Sequence, residues 1–585
     1  MEPPIEPPPV SKKELVRQLT ETSRLLELLG AEPFRANAYA AAARALDAFE
    51  GDFAILFGER RLAELRGIGK GLAAEMYALR SRERLELLGE LYAEVPEGVR
   101  GLLRVSGLGP KKARLLWLSG IGDLATLVAA TRDGRVADLK GFGAKSAAAL
   151  GAAAEFALAA TSRFRLDEAE VAAAAVVTGL REGGLMDALP DAQLYWTGEL
   201  RRGLETVGTL RGIVTGVSPM ALKRTLAEFC EDVQVSGEVV RATFAGRPLE
   251  LRLSEASILG AALVVDTGNK VFVTELERRA AAKGLALTVS GLLRGDERLE
   301  TPTEADVFSA LALEKVPPEC RDRLPEAEPI APTASLVTLE DMRGLVHSHS
   351  SWSDGAASLR EMVAAARDLG YSYLATADHS KTSFYANGLS VQRVLAQAEE
   401  IAAIRRELAD EGSDFRVLHG LEVDIMADGS LDYPDNVLAT LDYAVVSVHQ
   451  QFTLSKTKQT ERIVRAVQSP YADILAHMTG RLLLRRPSYD LEAETVLQAC
   501  AETGTVVEIN ANPRRLDLDW REVARARDLG CRFAIDPDAH HPSGYHDLRY
   551  GVLMARKAGL SAAEVVNTAP TAEAFLDRLK PKPEA

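Results

Sequence analysis

The pattern of apolar and polar positions divides the chain into three stretches. From residue 11 to about residue 160, apolar residues recur every three or four positions among Ala, Leu, Arg and Glu, which predicts helix after helix. From about 170 to 315, short apolar runs alternate with helical patterns, and we expect strands at 173–177, 212–215, 249–253 and 262–265. After residue 341, strand and helix patterns alternate regularly. The chain is therefore predicted to be a multidomain α/β protein.

The last stretch has the periodicity of a barrel of parallel strands. Seven apolar runs are separated mostly by helical segments, such as 359–369 and 391–408, and strands joined by helices run parallel. The predicted strands are 345–349, 373–377, 417–425, 443–448, 473–475, 505–509 and 532–535. The predicted domains are a helical region 1–160, a mixed α+β domain 165–318, a Pro-, Glu- and Asp-rich linker 319–341, the barrel 342–573, and a tail 574–585 that is expected to be disordered from Lys580.

Composition and charge narrow the classes of function. The chain has 585 residues, 47% of them hydrophobic, and no run of 18 or more apolar residues, so no membrane span is expected. Its Pro- and Glu-rich start lacks the pattern of a signal peptide, so the expected compartment is the cytoplasm. The four cysteines form no Cys-x-x-Cys pair and are expected to be reduced thiols. The net charge of -15 argues against a wholesale nucleic-acid coat, although backbone amides and a few lysines can still bind phosphate.

Histidine chemistry is confined to the C-terminal barrel, because all nine histidines lie at or after His347. Ligand-type side chains stand at the ends of successive predicted strands, where the loops of a parallel barrel converge on one rim. Imidazole and carboxylate together suit Zn²⁺, Mn²⁺ or Fe²⁺, and the set exceeds the need of one ion, so two or three metals are expected, with Glu422 as the natural bridge. Clustered metals lower the pKa of a bound water and neutralise a phosphate. His419, His541 and His546 fall outside this pattern and are expected to be structural.

This region resembles the PHP (polymerase and histidinol phosphatase) family over about 230 residues. The matching stretches are His347-Ser-His349, Ser353-Asp-Gly355, Thr376-Ala-Asp378-His379-Ser380, Gly420-Leu-Glu422-Val-Asp424, Ser447-Val-His449, His477-Met-Thr-Gly-Arg481, Asn510-Ala-Asn512-Pro513 and Asp538-Ala-His540. The resemblance implies a distorted (βα)₇ barrel with three metals. It implies nine catalytic metal ligands, all of which are present: His347, His349, Asp354, His379, Glu422, His449, His477, Asp538 and His540.

Basic residues near these motifs are candidates for holding substrate phosphates, since arginine binds phosphate in a bidentate manner. The candidates are Lys381, Arg481, Arg485, Arg486, Arg514 and Arg515. Among them we single out Arg481 and Arg514.

Three Gly-x-Gly turns between helices predict a surface that binds the DNA backbone. They are Gly67-Ile-Gly69-Lys70, Gly107-Leu-Gly109-Pro-Lys111-Lys112 and Gly141-Phe-Gly143-Ala-Lys145. Such a turn places backbone N–H groups at a helix N-terminus, which binds phosphate without reading bases. The turns resemble helix-hairpin-helix motifs; the alternative is a helical packing domain in which glycine only turns the chain.

Residues 190–320 resemble the palm and thumb of family X DNA polymerases, and the order of the parts resembles bacterial members of that family from end to end. The residues that carry this resemblance are Thr197-Gly198-Glu199-Leu-Arg201-Arg202-Gly203, Glu205-Thr206-Val207-Gly208, Leu249-Glu250-Leu251-Arg252 and Thr267-Gly268-Asn269-Lys270. The polymerase site, however, departs from the family pattern. Thr209 and Arg211 stand where the family has its Asp-x-Asp pair, Glu250 stands at the third Asp, and Glu199 at a serine that touches the nucleotide phosphates.

The missing acids predict loss of polymerase activity. No Asp or Glu lies between Thr206 and Ala227, whereas two-metal nucleotidyl transfer needs carboxylates to hold its ions. Arg211 repels a divalent cation and Glu199 repels a triphosphate, each by about 4 kcal/mol at about 4 Å and an effective dielectric near 20.

Together these features predict an enzyme that hydrolyses phosphodiesters at DNA ends, as a 3′–5′ exonuclease or a 3′-end phosphatase. Its expected cofactors are two or three Mn²⁺ or Zn²⁺ ions, or Fe²⁺, and its expected partner is gapped DNA or DNA with free ends. The palm would then be an inactive DNA-binding scaffold. The alternatives are an active gap-filling polymerase with an attached 3′–5′ exonuclease, a DNA-end-binding protein with structural metals, and a phosphatase of the histidinol-phosphate type.

Overall fold

A computed structural model describes residues 11–47, 49, 53–81, 84–185, 192–322 and 335–582. The chain divides into two compact units, residues 1–162 and 163–585. Among the described residues no helix has the length and apolar character needed to cross a bilayer. The four cysteines form no disulfide, and three of them are buried. The fold class is the multidomain α/β arrangement that the hydrophobic pattern predicts.

The first unit is built from helices whose apolar faces share one core. Its α-helices are Lys12–Leu29, Pro33–Asp47, Phe53–Gly58, Lys70–Tyr77, Glu86–Glu94, Glu97–Leu102, Pro110–Leu118, Leu124–Arg132 and Ala144–Thr161, with 3₁₀ turns at Leu62–Glu64 and Ala78–Ser81. Ala73, Ala113 and Ala147, at the same offset after each predicted hairpin, are all buried in this core. The repeated sequence pattern therefore corresponds to a repeated structural position, in which the alanine after each turn packs in the core.

The second unit begins with a palm-like sheet of five strands. Their order is Gln193–Trp196, Leu210–Thr215, Arg247–Leu253, Val239–Phe244 and Glu231–Ser236. A two-stranded ladder joins Phe164–Arg165 to Thr206–Val207, and the helices are Leu166–Glu182, Gly198–Arg201 and Pro219–Leu226. The thumb-like part follows, with helices Leu259–Thr267, Lys270–Ala282 and Glu304–Ala310, strands Ala286–Thr288, Gly291–Arg294 and Glu297–Leu299, and 3₁₀ turns Ala256–Ile258 and Pro318–Cys320.

Two predicted strands in this region are wrong, because both are helices. Residues 173–177 lie inside Leu166–Glu182, and residues 262–265 lie inside Leu259–Thr267. In the first helix, buried residues recur at helical spacing from Leu166 to Leu180. The second helix is buried nearly all round, and an apolar run of that kind does not distinguish a strand from a buried helix.

The rest of the second unit is a barrel of parallel strands, as predicted. Its strands are Gly344–Ser348, Tyr373–Thr376 with Asp378–His379, Arg416–Leu418 with Gly420–Asp424, Tyr443–Ser447, Ile474–Leu475, Val506–Asn510 and Phe533–Asp536. A parallel bridge between Ser348 and Ala539 joins the first strand to the segment after the last. The helices are Leu359–Asp368, Val391–Asp410, Asp435–Leu438, Lys456–Val467, Ala493–Thr503, Trp520–Asp528, Leu548–Ala558 and Ala572–Leu576. Short 3₁₀ turns are Leu339–Asp341, Phe384–Ala386, Pro542–Asp547, Ala562–Glu564 and Val566–Thr568.

The palm and the barrel share one unit because a buried cation ties them together. The Lys557 ammonium, fully buried on the barrel helix Leu548–Ala558, lies 2.6 Å from Asp322 Oδ2 and donates to the carbonyl oxygen of Arg202 at 3.0 Å. Arg202 Nε also donates to Asp322, at 2.8 Å. A Cβ at Gly203 would lie 2.4 Å from the Leu553 side chain, so glycine allows the backbone to approach the barrel helix this closely.

Two segments expected to be loose are packed where the structure describes them. Cys320, Arg321 and Asp322, at the start of the predicted linker, are held against the thumb and the barrel; residues 323–334 lie outside the described part. In the tail, Lys580 donates to the carbonyl oxygens of Val467 and Ser469, and buried apolar residues precede it. The prediction of disorder from Lys580 is therefore wrong for residues 580–582, while residues 583–585 are not described.

The buried ion pair generates a stability prediction. Replacing Lys557 by Met keeps the aliphatic stem but leaves the Asp322 carboxylate only partly compensated, so we expect the free energy of unfolding to fall by about 3 kcal/mol. Urea unfolding followed by circular dichroism measures the loss. Lys283→Met, at an exposed position, is the matched control and should change stability by less than about 0.5 kcal/mol. Equal midpoints for the two variants would show that the pair does not hold palm and barrel together.

A buried acid below the barrel generates a pH prediction. Asp473 is fully buried and accepts a hydrogen bond from Ala444 N at 2.8 Å, and burial raises its pKa to about 6. Because its pKa in the unfolded chain is about 3.9, this group makes the fold less stable as pH rises from about 4 to about 6, by up to about 3 kcal/mol. Asp473→Asn should lose that component. The free energy of unfolding of the variant, relative to that of wild type, should therefore rise as pH increases over this range. Asp410→Asn, which is exposed, should show a constant difference, and parallel curves for Asp473→Asn would contradict the assignment.

Candidate functional site

The barrel brings all nine predicted ligands together at the carboxyl ends of its strands. Each sits on the last residues of a strand or just after it, and ligand atoms of neighbouring members lie within 4.8 Å of one another in overlapping groups. The groups are His347, His349 and Asp538; His347, Glu422 and His477; His379, Glu422 and His449; and His349, Asp354, His379 and His540. The side chains therefore form one continuous cluster rather than separate sites.

Glu422 is the centre of this cluster. Its side chain is almost completely buried on the strand Gly420–Asp424. Five imidazole nitrogens surround its two carboxylate oxygens at 2.7 to 3.6 Å, and they belong to His347, His349, His379, His449 and His477. A carboxylate with both oxygens shared among several ligands is arranged to bridge cations.

Two further carboxylates extend the cluster on either side. Asp538 Oδ1 lies 3.2 Å from His349 Nε2 and 3.6 Å from His347 Nε2. Asp354 Oδ1 lies 3.3 Å from His540 Nε2 and 3.6 Å from His379 Nε2. Half-exposed Asp354 and His540 form the open side, whereas Asp538 and His349 are buried. Access from solvent is therefore from the side of Asp354.

Three of the ligands have left-handed backbone conformations. The φ angles are 56° at His347, 27° at His477 and 49° at Asp538. For a residue with a Cβ such a conformation costs of order 1–3 kcal/mol, and it persists when surrounding contacts determine it. The side chains of these three residues belong to one cluster, whereas other residues with positive φ, such as Asn387 and Leu516, are not ligands.

Acceptors behind two of the histidines fix which ring nitrogen faces the cluster. A carboxylate oxygen of Glu508 is hydrogen-bonded to His347 Nδ1, and Asp424 Oδ1 lies 2.8 Å from His449 Nδ1. In both rings Nε2 is left towards Glu422. Outer partners of this kind set the tautomer and orientation of metal-binding histidines.

The donor set fits divalent cations. Both ring nitrogens of His349 and the Nε2 of His347 are buried without a hydrogen-bond partner among the described residues, and a buried unpaired polar atom costs about 1–3 kcal/mol. Burial, and then the neighbouring rings of His540 and His379, lower the pKa of His349 to about 3. The neutral ring is the form that binds metal. Unpaired imidazoles beside carboxylates suit Zn²⁺, Mn²⁺ or Fe²⁺.

Glu508 and Asp536 are the residues near the cluster that the sequence pattern missed. They lie on the strands Val506–Asn510 and Phe533–Asp536 and form a further group with His347. Burial, and then the Glu508 carboxylate, raise the pKa of Asp536 well above its usual range. The sequence does contain a signal for these two residues, because each is an acid inside an otherwise apolar strand. A buried acid in such a place seldom lacks a partner.

The predicted phosphate-binding arginines have different environments. The guanidinium of Arg481 is tied to its neighbours, with Nη1 2.8 Å from Asp519 Oδ2 and Nε donating to the carbonyl oxygen of Arg515. Arg514 is exposed. Arg515, with Nε 3.4 Å from Asp538 Oδ2, is the one that reaches the cluster. We therefore favour Arg515 over Arg481 as the cation beside a substrate phosphate.

The other candidate side chains lie away from the centre. Arg485 is exposed, Arg486 donates to the carbonyl oxygen of Gly480, and Lys381 Nζ lies 3.8 Å from Asp432. His419 is buried against Gln397, with its Nε2 3.2 Å from the amide oxygen. His541 accepts from Ser543 N, and His546 lies in the same 3₁₀ turn.

The three Gly-x-Gly turns have a common geometry. The first glycines, Gly67, Gly107 and Gly141, have φ of 112°, 79° and 96°. The second glycines, Gly69, Gly109 and Gly143, each precede the first residue of a helix. The N-cap glycine provides no side-chain cap to any of the three helices, although Ser146 Oγ accepts from Gly143 N, the amide that precedes the third helix. The three turns therefore leave first-turn N–H groups without a side-chain cap.

The lysines beside these turns differ in their surroundings. Lys111 is exposed on the helix Pro110–Leu118, while Lys112 Nζ lies 5.3 Å from the centre of the Phe142 ring. A fourth turn, Gly120-Ile121-Gly122, was missed by the sequence pattern. There the side chain of Asp123 accepts from Thr126 N, so an acid occupies the helix N-terminus.

A cavity of about 590 Å³ lies between palm and thumb, and three of the four altered polymerase positions line it. They are Glu199, Thr209 and Arg211. Glu250 is the Cα partner of Arg211 on the next strand and pairs with Arg241 at 2.9 Å. The cavity is thus lined by a threonine and an arginine at the two positions where the resemblance to family X polymerases implies acids.

Glu199 occupies an anion-binding position in this cleft. Its Oε2 accepts from Gly208 N at 2.6 Å, and its Oε1 lies 3.1 Å from Arg163 Nη2. A backbone amide and a guanidinium are the groups that hold a phosphate. In this structure the Glu199 carboxylate accepts from both groups.

Comparison with known proteins identifies four family matches. Residues 10–81 match a helix-hairpin-helix domain, 99–155 a SAM-like helix-hairpin-helix tandem, 262–322 the DNA polymerase beta thumb, and 345–512 the PHP domain. The last match ends before the ligands Asp538 and His540, which the geometry adds.

Several characterised or named proteins are similar to this chain. The "DNA polymerase/3'-5' exonuclease PolX" of Bacillus subtilis (strain 168) is 33% identical over 582 residues, covering 97% of this chain and 99% of that protein. A "probable phosphatase" of Thermoanaerobacter sp. (strain X514) is 30% identical over 162 residues, 26% of this chain and 64% of that protein. One of Vibrio vulnificus (strain YJ016) is 28% identical over 252 residues, 40% of this chain and 91% of that protein.

The central position of Glu422 predicts the effect of removing its charge. Glu422→Gln keeps the shape of the side chain but not its ability to bridge cations, so we expect at least one ion fewer per chain and at least about 100-fold weaker Mn²⁺ binding. Elemental analysis after gel filtration and a Mn²⁺ titration measure both. Glu461→Gln, on an exposed helix face, is the control. Unchanged metal content in Glu422→Gln would show that the cluster is not organised around this carboxylate.

Proposed function

This chain belongs to the PolX family of DNA polymerases with a C-terminal PHP domain, and from that premise we propose that its barrel hydrolyses phosphodiesters at DNA ends. The chain is a metal-dependent hydrolase. The finer assignment, a 3′–5′ exonuclease or a 3′-end phosphatase, is our proposal. The observation that carries it is the continuous cluster of nine ligands centred on Glu422, joined in one chain to two helix-hairpin-helix regions.

The nine ligands would hold two or three divalent ions, Mn²⁺ or Zn²⁺, and Fe²⁺ suits the same donors. Bound ions of this kind activate water and neutralise charge that develops on a phosphoryl group. The chain's own residues supply the positioning. Glu508 and Asp424 orient His347 and His449, and Arg515 lies beside Asp538 where it can hold a non-bridging phosphate oxygen. The DNA end would reach the ligand cluster from the side of Asp354 and His540, where the cluster is open to solvent.

The helical hairpins support DNA as the substrate. Uncapped N–H groups after Gly69 and Gly109 can bind phosphate without reading sequence, and Lys111 adds an exposed cation. The proposed partner is gapped DNA or DNA with a free end. The domains we propose are the hairpin region, residues 1–160, the palm and thumb, residues 165–318, and the barrel, residues 342–573.

We further propose that the palm is a scaffold without polymerase activity. Arg211 projects into the cleft beside Glu250, and Glu199 fills an anion position against Gly208 N. Each charge opposes one component of a metal–triphosphate complex, by about 4 kcal/mol at 4 Å and an effective dielectric near 20. Losses of this size combine to many decades in rate.

The second candidate, an active gap-filling polymerase with an attached exonuclease, is favoured by one observation. The Bacillus subtilis relative, similar over 97% of this chain, carries both activities in its name. Extension activity therefore has to be measured beside hydrolysis on the same DNA.

One gapped duplex with labelled 3′ ends tests both parts of the proposal. With Mn²⁺, wild type should shorten the labelled strand or remove a 3′ phosphate, and His347→Ala should reduce this by at least about 100-fold because a shared ligand is lost. With nucleotides and Mg²⁺ or Mn²⁺, no extension is expected.

Glu250→Ala is the control, since it lies in the palm and should leave hydrolysis unchanged. Extension by wild type that disappears in Glu250→Ala would establish a working palm and overturn the scaffold assignment. Labelled ends left intact by folded wild type with Mn²⁺ would overturn the hydrolytic assignment.

A further inference from the structure

Two aromatic side chains on the loop after His379 are left in solvent. Phe384 is 81% exposed and Tyr385 is 62% exposed, with their ring centres 6.1 Å apart. Among the described residues from Arg163 onwards, they are the only exposed aromatic side chains. Burying apolar surface is worth about 25 cal/mol per Å², so two neighbouring exposed rings mark a place where something else packs.

The loop that carries the rings is held by hydrogen bonds along its length. Thr382 N donates to Asp432 Oδ2 at 2.7 Å, and Gly388 N donates to the carbonyl oxygen of Ser383 at 3.1 Å. Leu389 N closes the loop on the carbonyl oxygen of His379 at 2.8 Å. These hydrogen bonds fix the backbone that carries the two rings. Little further backbone entropy is therefore lost when a partner packs on them.

The same loop joins two segments that carry ligands. Ser383 Oγ donates to Asp424 Oδ2 at 2.7 Å, and Asp424 contacts His449. Asn387 Nδ2 donates to the carbonyl oxygen of Ser353, next to Asp354, at 3.2 Å. The rings therefore stand at the open side of the metal centre.

We propose that Phe384 and Tyr385 form a stacking platform for the nucleobase at the strand end whose phosphodiester lies at the ligand cluster. This inference rests on the proposed function and names its substrate class: an unpaired, base-bearing single-stranded end rather than a small phosphoester. Aromatic faces stack every base, so the platform is sequence-tolerant, as end processing requires. A paired terminus would have to open before its base could reach the rings.

Binding without turnover gives the first test. A single strand with 2-aminopurine as its 3′-terminal base is titrated with protein in EDTA, and stacking should quench its fluorescence. The double variant Phe384→Ala, Tyr385→Ala should lose this quenching, while Tyr385→Phe should keep it. Leu395→Ala, which removes a 53% exposed apolar side chain from the next helix, is the matched control and should behave as wild type.

Turnover gives the second test, with Mn²⁺ and two strands that differ only in the last residue, one with a base and one abasic. Removing the stack should reduce kcat/KM for the base-bearing strand about 5- to 150-fold and leave the abasic strand within about twofold. Wild type should itself prefer the base-bearing strand by a similar factor.

The outcomes separate the platform from the proposed function. Equal losses on both strands, or no loss on either, would overturn the platform while hydrolysis stands. Absence of turnover by wild type on both strands would count against the proposed function, and the platform would then be decided by the quenching in EDTA. If wild type fails to quench 2-aminopurine, the stacking platform is overturned, and a protein surface becomes the expected partner of the two rings.

Discussion

A carboxylate buried among five imidazoles is the constraint on which the barrel depends. An isolated charge in such a place would be strongly unfavourable, so Glu422 requires partners from several strands to converge on it. That convergence accounts for the left-handed backbone at His347, His477 and Asp538, and for the acceptors behind the rings, because each keeps a ligand atom directed at the centre. Burial of the Glu422 charge therefore depends on the same strand arrangement that forms the barrel.

Much of this centre could be predicted because its signals are local. Ligand-type residues follow apolar runs, and the ends of parallel strands share a rim, so the strand pattern places such side chains together, and the resemblance to the PHP family selects nine of them. Glu508 and Asp536 could not be found in this way, since an acid inside an apolar strand shows its purpose only when its neighbours across the sheet are known. The two helices taken for strands failed for a related reason: Ala- and Val-rich runs bury equally well in either form.

The palm is held in place by contacts that do not involve Thr209 or Arg211. Its sheet and helices are packed, and its contacts with the barrel include Lys557 with Asp322 and Arg202, and the ion pair between Arg521 and Glu205. Of the positions that depart from the family pattern, Glu199, Thr209 and Arg211 line the cavity. Because the Lys557–Asp322 pair stabilises the palm without using Thr209 or Arg211, these two positions can vary without loss of the fold. The proposed role of the palm as a scaffold is compatible with this division.

Selectivity in such an enzyme cannot come from the metal centre alone. A cluster of cations attracts any phosphate, and the same barrel is similar to proteins named as probable phosphatases. Discrimination must therefore come from groups around the rim that contact the rest of the substrate. The rim of this barrel offers an arginine beside Asp538 and two exposed aromatic rings on a rigid loop, which together match a phosphate and its adjoining base. Helix-hairpin-helix regions that bind the DNA backbone without reading sequence are consistent with the proposed function, because processing of DNA ends requires recognition of an end whatever bases form it.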